Sequence, residues 1–208
     1  AGALAYGSKT TGPEFFPTKM NDLKSFLSGE VSSTESFESV SVTPGLGNLP
    51  EVWLLVSSQQ GAEYAAQFGL PMSLAYFINQ DCLHLAEIYR KNFVPSAFSE
   101  FPRISLGVFS ICAENDKRAE ELASSAALWR NNSQVGKFSA FPTMEESRSQ
   151  INVGSDNRTF VGSPGLVKDK LKPLLDKVVP EELKIITICE SFPARQESYQ
   201  LINDTFNS

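Results

Sequence analysis

Apolar positions along this chain follow two periods in turn, and the switches between them predict its elements. From residue 14 to 28 they fall at Phe16, Met20, Leu23 and Leu27, a helical stripe closed by Gly29. Residues 52–56 form a continuous apolar run, which predicts a buried strand. Ala62, Ala65, Ala66 and Gly69 then recur at helical spacing, the narrow face of a helix packed closely on a sheet. Gly69 reads as that helix's C-cap, Pro71 bars further helix, and 72–77 is a second strand-length run. Residues 51–77 are therefore one βαβ unit, with Ser57 and Ser58 at the turn between strand and helix.

The same alternation continues. Cys82, Leu85, Ala86, Tyr89 and Phe93 mark a helix ended by Pro95, and Ile104, Leu106, Val108, Phe109 and Ile111 a strand over 103–112. Glu114, Asn115 and Asp116 open a helix whose buried side is Ala119, Leu122, Ala123 and Ala126, ending near Trp129 and Arg130. Ser163 and Pro164 are an N-cap and a first helical residue, and Val167, Leu171, Leu175 and Val178 give the stripe that Pro173 should kink. A strand over 183–189 and a helix over 194–206 close the chain. Residues 1–13 read as an opening loop and 30–50 as a long connection with a short strand near 39–42. Residues 131–162 lack a strong period apart from a short helix over 144–149, and a loop of that length is a functional lid or a surface insertion. Strands alternating with helices imply a parallel sheet with right-handed crossovers. Four strands fit a small open sheet or half of an eight-stranded barrel.

Composition narrows the class. The 208 residues, 41% hydrophobic and 20% charged, suffice for one domain with a real core, or for part of one, over 1–208. A net charge of −6 without a basic stripe argues against nucleic acid as the main partner. No apolar run approaches the roughly 20 residues of a membrane span, so no membrane is expected. Cys82, Cys112 and Cys189 are widely spaced, two of them in apolar runs, which points to buried thiols in a reducing cytoplasm. The chain starts at Ala1 without Met, so it is processed or a piece of something longer.

The strand-to-helix turn is the first candidate for chemistry. Its hydroxyls, the free N–H groups of a helix start and the positive helix end suit a phosphate, although Ser and Gly are also ordinary turn and cap residues. Elsewhere candidates are thin. There is no Gly-x-Gly-x-x-Gly or Walker loop. The single histidine, His84, lies among Cys82, Leu83 and Leu85 and reads as a helix-face residue, and no metal-ligand spacing occurs. Glu145 and Glu146 are adjacent and read as solvated. No catalytic residue is assigned; if the protein is an enzyme, a cofactor does the chemistry.

One resemblance sharpens this. The stretch 52–58, Val-Trp-Leu-Leu-Val-Ser-Ser, followed by Ala62-Glu63-Tyr64-Ala65-Ala66-Gln67-Phe68-Gly69-Leu70-Pro71-Met72, resembles the bacterial luciferase-like flavin monooxygenases. Tyr89-Arg90, Ala113-Glu114-Asn115-Asp116, Val161-Gly162-Ser163-Pro164, Glu182-Leu183-Lys184-Ile185 and Ala194-Arg195-Gln196-Glu197-Ser198-Tyr199 follow in the same order. The resemblance implies an α/β fold of the (β/α)8 TIM-barrel type, of which this chain would be the later half, strands five to eight. The family's catalytic histidine and some of its phosphate contacts lie in the earlier half. Half a barrel leaves two open edges, so a fragment, a dimer or a complementary barrel half is expected, and the chain alone should be inactive.

By the same resemblance, Leu55, Val56, Ser57, Ser58 and Gly61 would surround an FMN phosphate, with Ser58 foremost. Ser57 stands where some relatives carry an acidic residue and Gly61 where some carry a hydroxyl. Tyr76 would lie beside the flavin ring, or else be a core aromatic at a strand end. Residues 131–162 would be the mobile active-site loop, whose closure excludes water. The activity implied is oxygenation of a small organic substrate, such as an aldehyde, with O2 and reduced FMN supplied by a flavin reductase. Alternatives are a noncatalytic flavin-binding protein and a deazaflavin-dependent oxidoreductase of the same fold.

Overall fold

The computed structural model describes residues 12–29, 50–148 and 158–207; the short strand expected near 39–42 lies outside them. The chain divides into two compact units, Ala1–Val52 and Trp53–Ser208. In the first, Pro13–Phe15 is a 3-10 turn leading into α1, Phe16–Ser28, and the left-handed Gly29 (φ 76°) ends it, as the stripe at Phe16, Met20, Leu23 and Leu27 predicts.

The second unit runs β1 (Leu54–Val56), α2 (Gln59–Gln67), β2 (Met72–Ala75), α3 (Cys82–Asn92), β3 (Ile104–Cys112), α4 (Asp116–Gln134), α5 (Met144–Arg148), β4 (Thr159–Gly162), α6 (Pro164–Val178), β5 (Glu182–Ile186) and α7 (Phe192–Asn207). Every strand pairing is parallel. β1 lies beside β2, β2 beside β3, and β5 beside the lower part of β3, from Ser105↔Glu182 to Phe109↔Ile186. That order follows the chain without reversal. It is the arrangement of a barrel arc, not of a doubly wound sheet, which reverses at a switch point.

Alternation along the strands separates two faces. Val56, Met72, Leu74, Ile104, Leu106 and Val108 point to one side and form a single core with the small residues of α2, with α3 through Leu85, Ala86 and Tyr89, and with α6 and α7. The glycine expected to end α2 does so: Gly69 takes φ 62°, its N–H donates to Ala66 O (3.2 Å), and that of Leu70 donates to Ala65 O (3.0 Å). A Cβ at Gly69 would sit 2.4 Å from Val94 O, so both space and conformation require glycine. The opposite face carries Trp53, Leu55, Ser73, Ala75, Arg103, Ser105, Gly107 and Phe109. At its lower end the Trp53 ring lies under Arg103 (5.0 Å) and Lys184 (4.5 Å).

β3 is longer than its neighbours and changes partner halfway. Beyond Gly107 the edge that held β2 pairs with β4, from Phe109↔Thr159 to Cys112↔Gly162, while β5 holds the other edge as far as Phe109. On the other edge, past the end of β5, backbone groups are satisfied by buried side chains: Thr187 Oγ1 donates to Ser110 O (2.8 Å), and Cys112 N–H donates to Ser198 Oγ (2.9 Å). The N–H of Thr187 donates to Tyr199 Oη (3.1 Å). The upper end of β3 is covered by α4, with Ile111 against Ala119, Leu122 and Ala123. Within 131–162 the short helix expected over 144–149 is α5, and the stretch also contains the last turn of α4 and the strand β4. Four residues of β4 are too short for a hydrophobic period to show, and pairing with β3 rather than propensity makes them a strand.

Candidate functional site

The carboxyl ends of the parallel strands carry two adjoining features. The first is the junction of β1 with α2. Ser58 caps the helix, its Oγ accepting the Gly61 N–H at 3.2 Å, and the Ala62 N–H closes the first helical bond on Ser58 O at 3.1 Å. By helix geometry the N–H groups of Gln59 and Gln60 have no intrahelical acceptor and face outward with the positive end of α2. Ser58 is exposed and Ser57 half-buried. Asn79 Nδ2 donates to Ser57 O at 3.0 Å and holds this turn to the loop that follows β2. Gly61 packs within the turn: a Cβ there would lie 3.3 Å from both Ser58 Oγ and Val56 Cγ1.

The residues expected around a phosphate fall into two groups. Ser57, Ser58 and Gly61 come together at the junction. Val56 is 1% exposed beneath α2, so only its backbone faces the turn, whereas Leu55 is 62% exposed on the opposite face of the sheet. Tyr76 turns to the helix side, where its ring packs on Phe160 (5.5 Å) and its hydroxyl accepts from Gln80 Nε2 (3.3 Å). It is partly buried there, against the edge of the core. Phe77, one residue on, faces the other way.

Phe77 belongs to the second feature, which the sequence did not point out. Its ring lies 4.7 Å from that of Phe109, and the two walls join Trp129, Arg130, Ser133, Gln134 and Arg158 around a cavity of about 210 Å3. The Arg130 guanidinium stands 5.4 Å from the Phe109 ring centre, and its Nη1 donates to Thr159 Oγ1 at 2.9 Å. Gly107 gives Phe77 its room, since a Cβ there would lie 3.3 Å from the ring. The available signal was parity: Phe77, two residues past β2, and Phe109, within the neighbouring β3, fall on the face away from the helices.

Other candidates have structural explanations. His84 is exposed on α3. Glu146 accepts from Thr143 N–H (2.8 Å) and Oγ1 (3.0 Å) while Thr143 Oγ1 accepts the Glu146 N–H (3.2 Å), a reciprocal cap for α5 that holds the Glu146 carboxyl below its ordinary range. Burial pushes the Cys82 thiol up to about 12 and Cys112 to about 11, and it raises Cys189 as well, so none is a ready nucleophile. Among the described residues there is no group of three or more His, Cys, Asp or Glu that could hold a metal, and no helix long and apolar enough to cross a membrane.

Comparison with known proteins places this arrangement. No family model matches the chain. It is 31% identical to the uncharacterized protein YceB of Bacillus subtilis over 98% of its own length, and spans 64% of that protein. It is 29% identical to a luciferase-like monooxygenase of Escherichia coli K12 over 77% of its length, spanning 51% of the relative. Among solved structures, apo-MsnO8 superposes on 98% of the chain with a TM-score of 0.83 at 26% identity, the match covering 63% of that protein. The chain is a relative of the luciferase-like monooxygenases. It spans just under two thirds of the length of YceB and of apo-MsnO8, more than the half a bare four-stranded count suggests. At the level of fold alone, 83% of the chain also matches the FMN complex of the oxygenating constituent of 3,6-diketocamphane monooxygenase (TM-score 0.53, 17% identity). The strand order is therefore that of a TIM-type barrel, as expected.

Proposed function

We propose that this chain is part of an FMN-dependent monooxygenase in which the β1–α2 junction holds the flavin phosphate. The observation that carries the proposal is the junction itself: two serine hydroxyls and outward N–H groups at a helix start, placed at the carboxyl end of a parallel strand in a barrel of luciferase-like relatives. The donor set fits a phosphate, since every group named is neutral or positive and can donate. Ser58 and the N–H groups of Gln59 and Gln60 would hold the phosphate, Ser57 would add a hydroxyl, and the Val56 backbone and Gly61 would shape the turn. Leu55 lines the approach on the open face. Phe77 takes the place beside the ring first considered for Tyr76, because alternation turns Tyr76 away.

When bound, reduced FMN supplies the electrons that O2 needs to oxygenate a small organic molecule, an aldehyde being one such substrate. A separate flavin reductase would deliver it in the cytoplasm. Asn79 fixes the serine turn relative to Phe77, so phosphate and ring positions are set by one hydrogen bond between loops. Residues 131–162 would close over the cavity and exclude water. The open edges of β1 and β5 would be completed by the remaining barrel strands or by a second chain.

Titration of the protein with FMN, followed by quenching of flavin fluorescence, tests the site. Saturable binding is expected. Ser58→Ala should weaken it by about ten- to hundredfold, the worth of a hydrogen bond to a charged group of ~1.5–3 kcal/mol. Ser58→Gly, which keeps a tolerated cap, should weaken it as much. Undiminished affinity in both variants would remove the phosphate from this junction.

A further inference from the structure

We infer that Asn79 is a positioning residue that couples the two ends of the flavin site, so that an anion at the serine turn and a flavin ring beside Phe77 bind cooperatively. The inference rests on the proposed function and adds to it a dependence between the two subsites.

Asn79 is held on every side. Its backbone N–H donates to Ala75 O at 3.1 Å, closing the turn beyond β2, and its O accepts from Cys82 Sγ at 3.4 Å, at the start of α3. Its Oδ1 accepts the Asp81 N–H at 2.9 Å, an Asx turn. The carboxamide is thereby oriented by its own loop, and Nδ2 is left to reach Ser57 O, at 3.0 Å and 22 residues away along the chain. The ladder between β1 and β2 ends at Val56↔Leu74. The Asn79 bond lies past that last pair and ties two segments that the ladder no longer holds.

Covalent geometry carries the effect to the anion. In the planar trans peptide between Ser57 and Ser58, the C=O and the N–H point in opposite directions. Tying Ser57 O to Asn79 therefore fixes the direction of the Ser58 N–H, and a carbonyl that accepts a hydrogen bond makes the N–H of its own peptide a stronger donor. An anion on that N–H favours the tied arrangement, which also holds the loop that carries Phe77. A ring bound beside Phe77 favours the tie in return. With the tie formed, ordering one segment orders the other, and the second ligand has less disorder to overcome. Such coupling acts equally in both directions.

Riboflavin, which has the ring and lacks the phosphate, separates the two subsites. Its affinity is measured by fluorescence quenching in saturating inorganic phosphate and in sodium chloride of equal ionic strength. Phosphate should tighten riboflavin about fivefold or more, and it should weaken FMN, with which it competes for the serine turn. Asn79→Ser keeps an acceptor for the Asp81 N–H, but its shorter side chain does not reach Ser57 O. In that variant phosphate should change riboflavin affinity by less than about twofold, and Asn79→Ala should behave alike. Should Asn79→Ala fail to fold, the serine variant decides. A purely structural role would lower the urea midpoint and leave the coupling in place. Riboflavin binding that ignores phosphate in the unsubstituted protein, or a coupling that survives Asn79→Ser, would overturn the inference. If FMN still binds more tightly than riboflavin in that case, the phosphate junction stands without a role for Asn79. FMN and riboflavin binding equally would sink the junction and the coupling together.

Discussion

Tyr89 shows how much one side chain fixes. It is fully buried at the base of the sheet, where its hydroxyl donates to Leu70 O and accepts the Arg103 N–H, both at 3.0 Å. Those two backbone groups lead into β2 and β3, so one phenol sets the spacing of two strand entries. Burial pushes its pKa up to about 12, and it stays a neutral donor throughout the working range. Tyr89→Phe keeps the ring but strands a buried carbonyl and a buried N–H. We expect a loss of about 1–3 kcal/mol, read as a lower urea midpoint with an unchanged slope; an unaltered midpoint would refute that role. Spacing alone put Tyr89 on the buried side of its helix. It could not reveal the partners, which lie 19 and 14 residues away along the chain. The same limit separates Tyr76 from Phe77: the residue types are alike, and only the direction of the β2 ladder shows which ring turns outward.

Between elements, Asp116 joins two helix starts. It opens α4, and its Oδ1 accepts the Ser163 N–H at the start of α6 at 2.7 Å. The hydrogen bonds from Ser163 hold its carboxyl below the ordinary range, with Lys170 adding to the effect. A carboxyl depressed in the folded state contributes stability that is complete above its unfolded pKa, ~3.9, and is lost as pH falls through the lower folded value. Asp116→Asn should therefore be less stable than the parent at pH 7, with the gap narrowing as acid protonates the parent. Urea midpoints measured from pH 7 down to 3 check this; a gap that stays constant with pH would show that charge is not involved. Here the sequence was legible in part. Asn115, Asp116, Ser163 and Pro164 announce two helix starts, and Ser198 and Tyr199 stand out as landmarks, but nothing local says that Ser198 meets β3 at Cys112 or that Tyr199 meets the N–H of Thr187 past the end of β5.

Across the whole second unit, the sheet ends in two edges: among the described residues β1 pairs only with β2, and β5 only with β3. Leu55 is 62% exposed on the face that a closed barrel would enclose. Open edges and an exposed apolar strand residue recruit another chain. Light scattering should give a mass above the 22.8 kDa of one chain, and Leu55→Lys should shift it toward that value; a stable monomer at micromolar concentration would mean that the open side is covered from within. Periods, caps and strand–helix order were determined by the sequence itself, because each depends on residues within a few positions of one another. The serine turn could be located on the same grounds. Which strands pair, where β3 exchanges β2 for β4, and how two phenylalanines and the end of α4 come to line one cavity were decided only by the tertiary structure. Those contacts join segments far apart along the chain and depend on twist and pairing that no local period encodes.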